Sequence, residues 1–91
     1  MISNGGPVTV DHGAPTPLWR QLTDILRARI KSGDPPAGRV MPSEHTLSQE
    51  FELSRGTVVK ALDALEQEGL IIRIQGRGTF VAERQGGSSA Q

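Results

Sequence analysis

The chain of 91 residues contains no cysteine, so neither a disulfide nor a thiolate metal site can staple it, and packing and helix capping must hold it together. That absence fits a cytoplasmic protein. No stretch approaches the roughly 18 consecutive apolar residues of a membrane span, and residues 1–16, MISNGGPVTVDHGAPT, lack the basic start and apolar run of a signal peptide. The expectation is a soluble cytoplasmic chain without a membrane partner. Aromatic residues are scarce: Trp19, Phe51 and Phe80 are the full set, too few to build stacking platforms for single-stranded nucleic acid. Net charge is also missing, because ten Lys and Arg face ten Asp and Glu, which excludes a chain that coats polyanions through bulk charge. Any nucleic-acid reading must rest on where the charges sit. At this length the chain makes one small domain at most, burying roughly 60–65% of its unfolded surface.

What is present is helical periodicity followed by strand signals. The first fifteen residues, rich in Gly, Pro, Ser, Asn and Asp, show no sustained period and read as a flexible arm. Thr16 before Pro17 is a helix start, with Thr as N-cap and Pro at the first helical position, where its missing N–H costs nothing. Leu18, Leu22, Ile25, Leu26 and Ile30 then form one apolar stripe that ends before Ser32-Gly33. DPPAGRVMP, residues 34–42, is a connecting loop, since its prolines remove donors and push their neighbours towards extended backbone. Ser43 caps a short second helix with Glu44 in its first turn and Leu47 and Phe51 facing inward. After a tight turn at Glu52-Leu53, Ser54 caps a longer third helix with Val58, Ala61, Leu62 and Leu65 as its buried stripe, ending at Gly69. LIIRI at 70–74 and TFVA at 79–82 are rich in strand formers, and QGRG at 75–78 turns between them. The closing RQGGSSAQ lacks apolar residues and reads as a linker.

This order predicts an α+β, mainly α fold: a three-helix winged helix-turn-helix over residues 16–82 with a C-terminal two-stranded β-hairpin wing, between an arm at 1–15 and a linker-like tail at 83–91. The third helix divides along its length. Arg55 and Lys60 stand at its front while Asp63, Glu66 and Glu68 gather at its back. At its N-terminus the dipole and unpaired N–H groups favour a phosphate, Ser54 and Thr57 can donate hydroxyls, and Gly56 leaves room for close approach. On helical spacing Gly56 and Lys60 lie opposite the Val58 stripe.

PLWRQLTDILRARIKSG, MPSEHTLSQEF, LSRGTVVKALDALEQEGLI and GRGTFV together resemble the N-terminal DNA-binding domain of the GntR family of bacterial transcription regulators, over about residues 17–82. The resemblance implies that the Pro-Ser-Glu block, here Ser43, Glu44 and His45, sets the second helix against the DNA backbone. It implies phosphate and base contacts from Ser54, Arg55 and Thr57 in the Ser-Arg-x-Thr block. The wing tip Gln75, Gly76, Arg77 and Gly78 would reach the neighbouring minor groove. Three positions depart from the family's habit: His45 replaces a common arginine, Val59 stands where relatives often carry arginine, and Glu52 stands where they carry glycine. A valine cannot donate to guanine but can lie against a thymine methyl. Val59 is open between packing and base reading, and a left-handed Glu52 would carry roughly 1–2 kcal/mol of strain.

The expected function is sequence-specific binding of double-stranded operator DNA by a bacterial regulator, with repression the commoner mode in the resembling family. The third helix enters the major groove, and the wing lies at the minor groove. The alternative is a winged-helix protein-interaction module without specific DNA binding, which zero net charge favours. No nucleophile with a base, and no paired carboxylates, can be assembled, so an enzyme is not expected. The glycines of QGRG lie between two strands, which fits a hairpin turn rather than a nucleotide cradle. His12 and His45 lack a ligand set, so neither metal nor cofactor is expected. The resemblance also implies a ligand-binding, dimerising domain beyond this chain: the chain reads as a fragment, monomeric alone, of a full-length homodimer that is nucleoid-associated when bound.

Overall fold

In the computed structural model, which describes residues 9–83, three helices precede a hairpin: α1 (Leu18–Lys31), α2 (Glu44–Phe51), α3 (Arg55–Gln67), β1 (Ile71–Ile74) and β2 (Gly78–Val81). The architecture is the mainly helical winged helix-turn-helix anticipated above. The stripe positions build its core. Leu22, Ile25 and Leu26 of α1, Leu47 and Phe51 of α2, and Val58, Ala61, Leu62 and Leu65 of α3 are all buried, joined by Leu53, Leu70, Ile71 and Val81, while Leu18 and Ile30 pack at the margin. Each of the larger side chains among them contributes about 1.5–3 kcal/mol when removed from water.

The two helices of the helix-turn-helix start as their sequences require. Ser43 and Ser54 hold extended backbone, and their hydroxyls accept from the N–H of Thr46 and Thr57, each at 3.1 Å; such caps contribute about 1 kcal/mol apiece. Between them α2 stops because Glu52 adopts the left-handed conformation, φ 57° and ψ 50°. Leu53 N–H then donates back to Ser48 O at 3.0 Å, and the Ser48 hydroxyl donates to Leu53 O at 2.8 Å. The turn is thus locked from both sides, at the cost of a non-glycine residue in αL.

Helix α1 begins differently from the expectation. Pro17 has φ −56° and ψ 145°, so it stands just outside the helix as the N-cap, and no side chain caps the helix. The reason lies in Gln21, which reaches back over the first turn: its Nε2 donates to Thr16 O at 2.8 Å and Asp11 O at 3.0 Å, and its Oε1 accepts from Asp11 N–H at 2.7 Å. Gln21 therefore fixes the incoming chain that a capping Thr16 would otherwise orient. That chain carries Val10 into the core, 6% exposed, so packing extends into the segment read from sequence as a loose arm. Residues 1–8 of that arm and 84–91 of the tail lie outside the described residues.

The hairpin pairs Ile71 with Val81, Ile72 with Phe80, Arg73 with Thr79 and Ile74 with Gly78. It closes through Gly76 at φ 82°, with Arg77 N–H donating to Ile74 O at 2.9 Å. Sequence reading missed a third strand-like segment. Val40 bridges Phe80, Met41 N–H donates to Thr79 O at 2.7 Å, and Val81 N–H donates to Arg39 O at 2.9 Å. Residues of the proline loop thus pair with the free edge of β2, and Met41 turns into the core at 4% exposure. Alternation then leaves Val40, Ile72 and Ile74 on the outer face of the wing, all exposed.

Candidate nucleic-acid interface

The neutral charge count conceals a spatial sorting. Arg27 holds Asp24 at 2.8 Å and Glu68 at 2.6 Å, clamping the end of α3 to α1. Arg29 holds Glu50 at 2.7 Å, and Arg73 on β1 holds Asp63 at 2.7 Å with Glu66 at 3.7 Å. The acids at the back of α3 are therefore bound to arginines of α1 and the wing. The Arg27 guanidinium, hydrogen-bonded first to Glu68 and then to Asp24, titrates above its ordinary value, and its hydrogen bond holds the Glu68 carboxyl below the usual 4.5. Among the described residues Arg20, Lys31, Arg39, Lys60 and Arg77 form no ion pair, and all are exposed.

The front of α3 is presented outward. Arg55, its first residue, has a side chain 64% exposed and meets Glu44 of α2 at 3.8 Å. This loose pair spans the first turns of α2 and α3 without a hydrogen bond, leaving the guanidinium its donors. Ser54 and Thr57 hydroxyls lie 2.9 Å apart. One O–H is consumed between them, and the other remains to donate to an anion. A Cβ built on Gly56 would meet nothing within 4 Å, so that side of the first turn is open. Val58 is buried and Val59 half-buried, which keeps Val59 at the rim between core and outer surface.

Of the other positions singled out in the sequence, Ser43 and His45 are exposed and Glu44 is half-buried at the start of α2. The Ser43 hydroxyl, besides capping, contacts Thr46 Oγ1 at 3.0 Å. Gln75, Gly76, Arg77 and Gly78 are exposed at the hairpin tip, a group apart from the helix pair. Lys60 is exposed as expected, yet it has a neighbour that the sequence did not disclose: its Nζ lies 5.0 Å from the centroid of the Trp19 ring, with the Arg20 guanidinium carbon 5.7 Å from the same ring. Trp19 stands next to Leu18 at the edge of the α1 stripe. Its i+4 neighbour Thr23 is 3% exposed and donates to Trp19 O at 2.7 Å. A bulky aromatic beside the stripe was the available signal, but its partner on α3 is set by how the two helices cross.

No helix among the described residues is long and apolar enough to cross a membrane. Residues 18–81 match the family described as "Bacterial regulatory proteins, gntR family". The chain is similar to the HTH-type transcriptional repressor NagR of Bacillus subtilis, 37% identical over 76 residues, which cover 84% of this chain and 31% of that protein. It is also similar to the histidine utilization repressor of Pseudomonas aeruginosa, 40% identical over 75 residues, covering 82% of this chain and 30% of that protein. Among solved structures, the AraR DNA-binding domain in complex with operator ORX1 superposes with a TM-score of 0.76 at 32% identity, covering 81% of this chain and 94% of that one. The chain thus spans about three-tenths of the length of these curated relatives. With its fold, its four motif segments and these likenesses in agreement, the chain belongs to the gntR family of bacterial regulatory proteins.

Proposed function

We propose that this domain binds double-stranded operator DNA sequence-specifically, as the reading part of a bacterial transcription regulator, most simply a repressor like the relatives named above. The observation that carries the reading is the exposed first turn of α3. There Arg55, an available hydroxyl of the Ser54–Thr57 pair and the open face of Gly56 stand together, while the acids of the helix are tied to arginines behind it. On this reading α3 enters the major groove, with Arg55 and Val59 towards base edges, and Ser54, Thr57 and Lys60 towards phosphates. Ser43, Glu44 and His45 at the start of α2 border the backbone, and Gln75, Gly76, Arg77 and Gly78 lie at the adjacent minor groove. The packed unit spans residues 10–82, is monomeric alone, and serves in a homodimer within a longer regulator; two tethered half-site contacts bind far more tightly than one through effective concentration. The role is binding rather than catalysis, exercised in the cytoplasm on the nucleoid. The zero net charge that speaks for a protein-interaction module is answered by the sorting of the acids onto Arg27, Arg29 and Arg73, away from the first turn of α3.

Selection from a random duplex pool at low salt, followed by mobility shifts on the selected sequence, tests this. Arg55→Ala should cost about 1–3 kcal/mol if Arg55 reads a base, and should relax specificity at one position. Arg77→Ala should weaken binding and lower the salt slope by about 1 for each phosphate that Arg77 neutralises. If no sequence is enriched, or if both variants bind the enriched duplex as the parent does, the proposal fails.

A further inference from the structure

We infer that Trp19 is a positioning residue for DNA binding, its indole holding the Lys60 ammonium beside Arg20 so that both cations meet the phosphate backbone along the seam between α1 and α3. The inference rests on the DNA-binding reading above and adds a third contact region to its helix-turn-helix and wing.

The geometry is specific. Lys60 lies five residues, about 7.5 Å of helix rise, beyond Arg55, and its Nζ is drawn to the Trp19 ring at 5.0 Å instead of to a carboxylate. The acids that would otherwise compete are occupied: Asp63 is hydrogen-bonded by Arg73, and Asp24 and Glu68 by Arg27. Arg20, exposed on α1, shares the same ring at 5.7 Å. Two cations from different helices thus converge on one half-buried aromatic with no anion paired to either among the described residues. A ring face attracts an ammonium without removing its three N–H donors, which stay available to phosphate oxygens. It also restrains a flexible four-carbon stem before DNA arrives, reducing the entropy cost of ordering it on binding. Phosphate is the fitting ligand because a compact ammonium acts on it as a point charge, with no need of base-edge geometry.

The test compares the 91-residue protein with Trp19→Leu, Trp19→Phe, Lys60→Met and the Leu/Met double variant, using a random-sequence duplex of about 30 base pairs between about 50 and 200 mM salt. Lys60→Met should lower the slope of log K against log salt by about 0.9, as expected when one phosphate is no longer neutralised. Trp19→Leu should weaken binding about two- to fivefold, the range of an exposed cation–π contact. Trp19→Phe, which keeps a ring face, should fall between Leu and the parent. In the Lys60→Met background the effect of Trp19→Leu should shrink to the part exerted through Arg20, the more distant of the two cations; additive effects, unchanged affinity, or tighter binding by Trp19→Leu would each overturn the inference. If Trp19→Leu does not fold, the Trp19→Phe and Lys60→Met cycle carries the same decision. Trp19 is also the chain's single tryptophan, so its emission in free protein must change with Lys60→Met, and an unchanged spectrum refutes the contact without any DNA. A parent for which selection enriches no duplex defeats the DNA reading, whereas a parent that binds the selected duplex but not the random one, or that binds with an additive cycle, defeats only the role of Trp19.

Discussion

Glu52→Gly should stabilise the isolated domain. Glu52 ends α2 at φ 57° and ψ 50°, where an L-residue costs roughly 1–2 kcal/mol through the approach of its Cβ to the backbone. Glycine removes that cost but has greater unfolded-chain freedom to lose, worth roughly 0.4–1 kcal/mol in the opposite direction. The side chain is exposed and makes no hydrogen bond or ion pair among the described residues, so little else changes. The net gain is about 0.5–1 kcal/mol, and in a domain of this size each kcal/mol moves Tm by about 4–8 °C, giving a rise of about 2–8 °C. Thermal and urea unfolding without DNA measure it, with the urea m-value unchanged if the denatured state is unaltered. Glu52→Ala is the control: it removes the carboxylate but retains the left-handed penalty. A gain from alanine as large as that from glycine would assign the effect to charge, and a Tm that stays or falls with glycine would refute the strain account.

Two further outcomes follow from the described geometry. Val59→Arg, at the rim of the core, should restore a guanine-reading donor and shift the preferred base beside α3 in a repeated selection; an unchanged preference would assign Val59 to packing alone. The Arg27 hydrogen bond holds the Glu68 carboxyl below 4.5, so this pair stabilises the fold fully above the ordinary carboxylate value and loses its contribution as pH falls through the lowered one. Glu68→Gln should therefore reduce stability slightly at neutral pH, as expected for a largely exposed pair, and flatten the acid limb of a Tm against pH curve. An unaltered limb would show that the pair contributes nothing.

Much of this fold could be read from the chain because its signals are local. Ser43 and Ser54 sit immediately before apolar stripes, and both serve as caps to the residue expected. The α3 stripe was legible because four positions at helical spacing admit one buried face, and those four are its buried residues. What escaped depends on tertiary placement. Val10 lies in a segment without periodicity, and it is held only once Gln21 folds back onto Asp11. Val40 and Met41 pair with β2 from within a proline loop, an arrangement that composition alone argues against. At the candidate interface, the exposed Arg55 and the Ser54–Thr57 hydroxyl pair could be anticipated from the motif and helix-end chemistry. The sorting of acids onto Arg27, Arg29 and Arg73, and the capture of Lys60 by Trp19, required knowing which helix faces meet.

The central claim is that DNA meets the front of α3, flanked by the start of α2 and the wing tip. Amide chemical shifts recorded while the selected duplex is added to labelled protein test it most directly. The predicted result is that changes concentrate at residues 43–45, 54–60 and 75–78, with those around Trp19 joining them. Changes centred instead on Val40, Ile72 and Ile74, the exposed outer face of the wing, with the first turn of α3 unmoved, would contradict it.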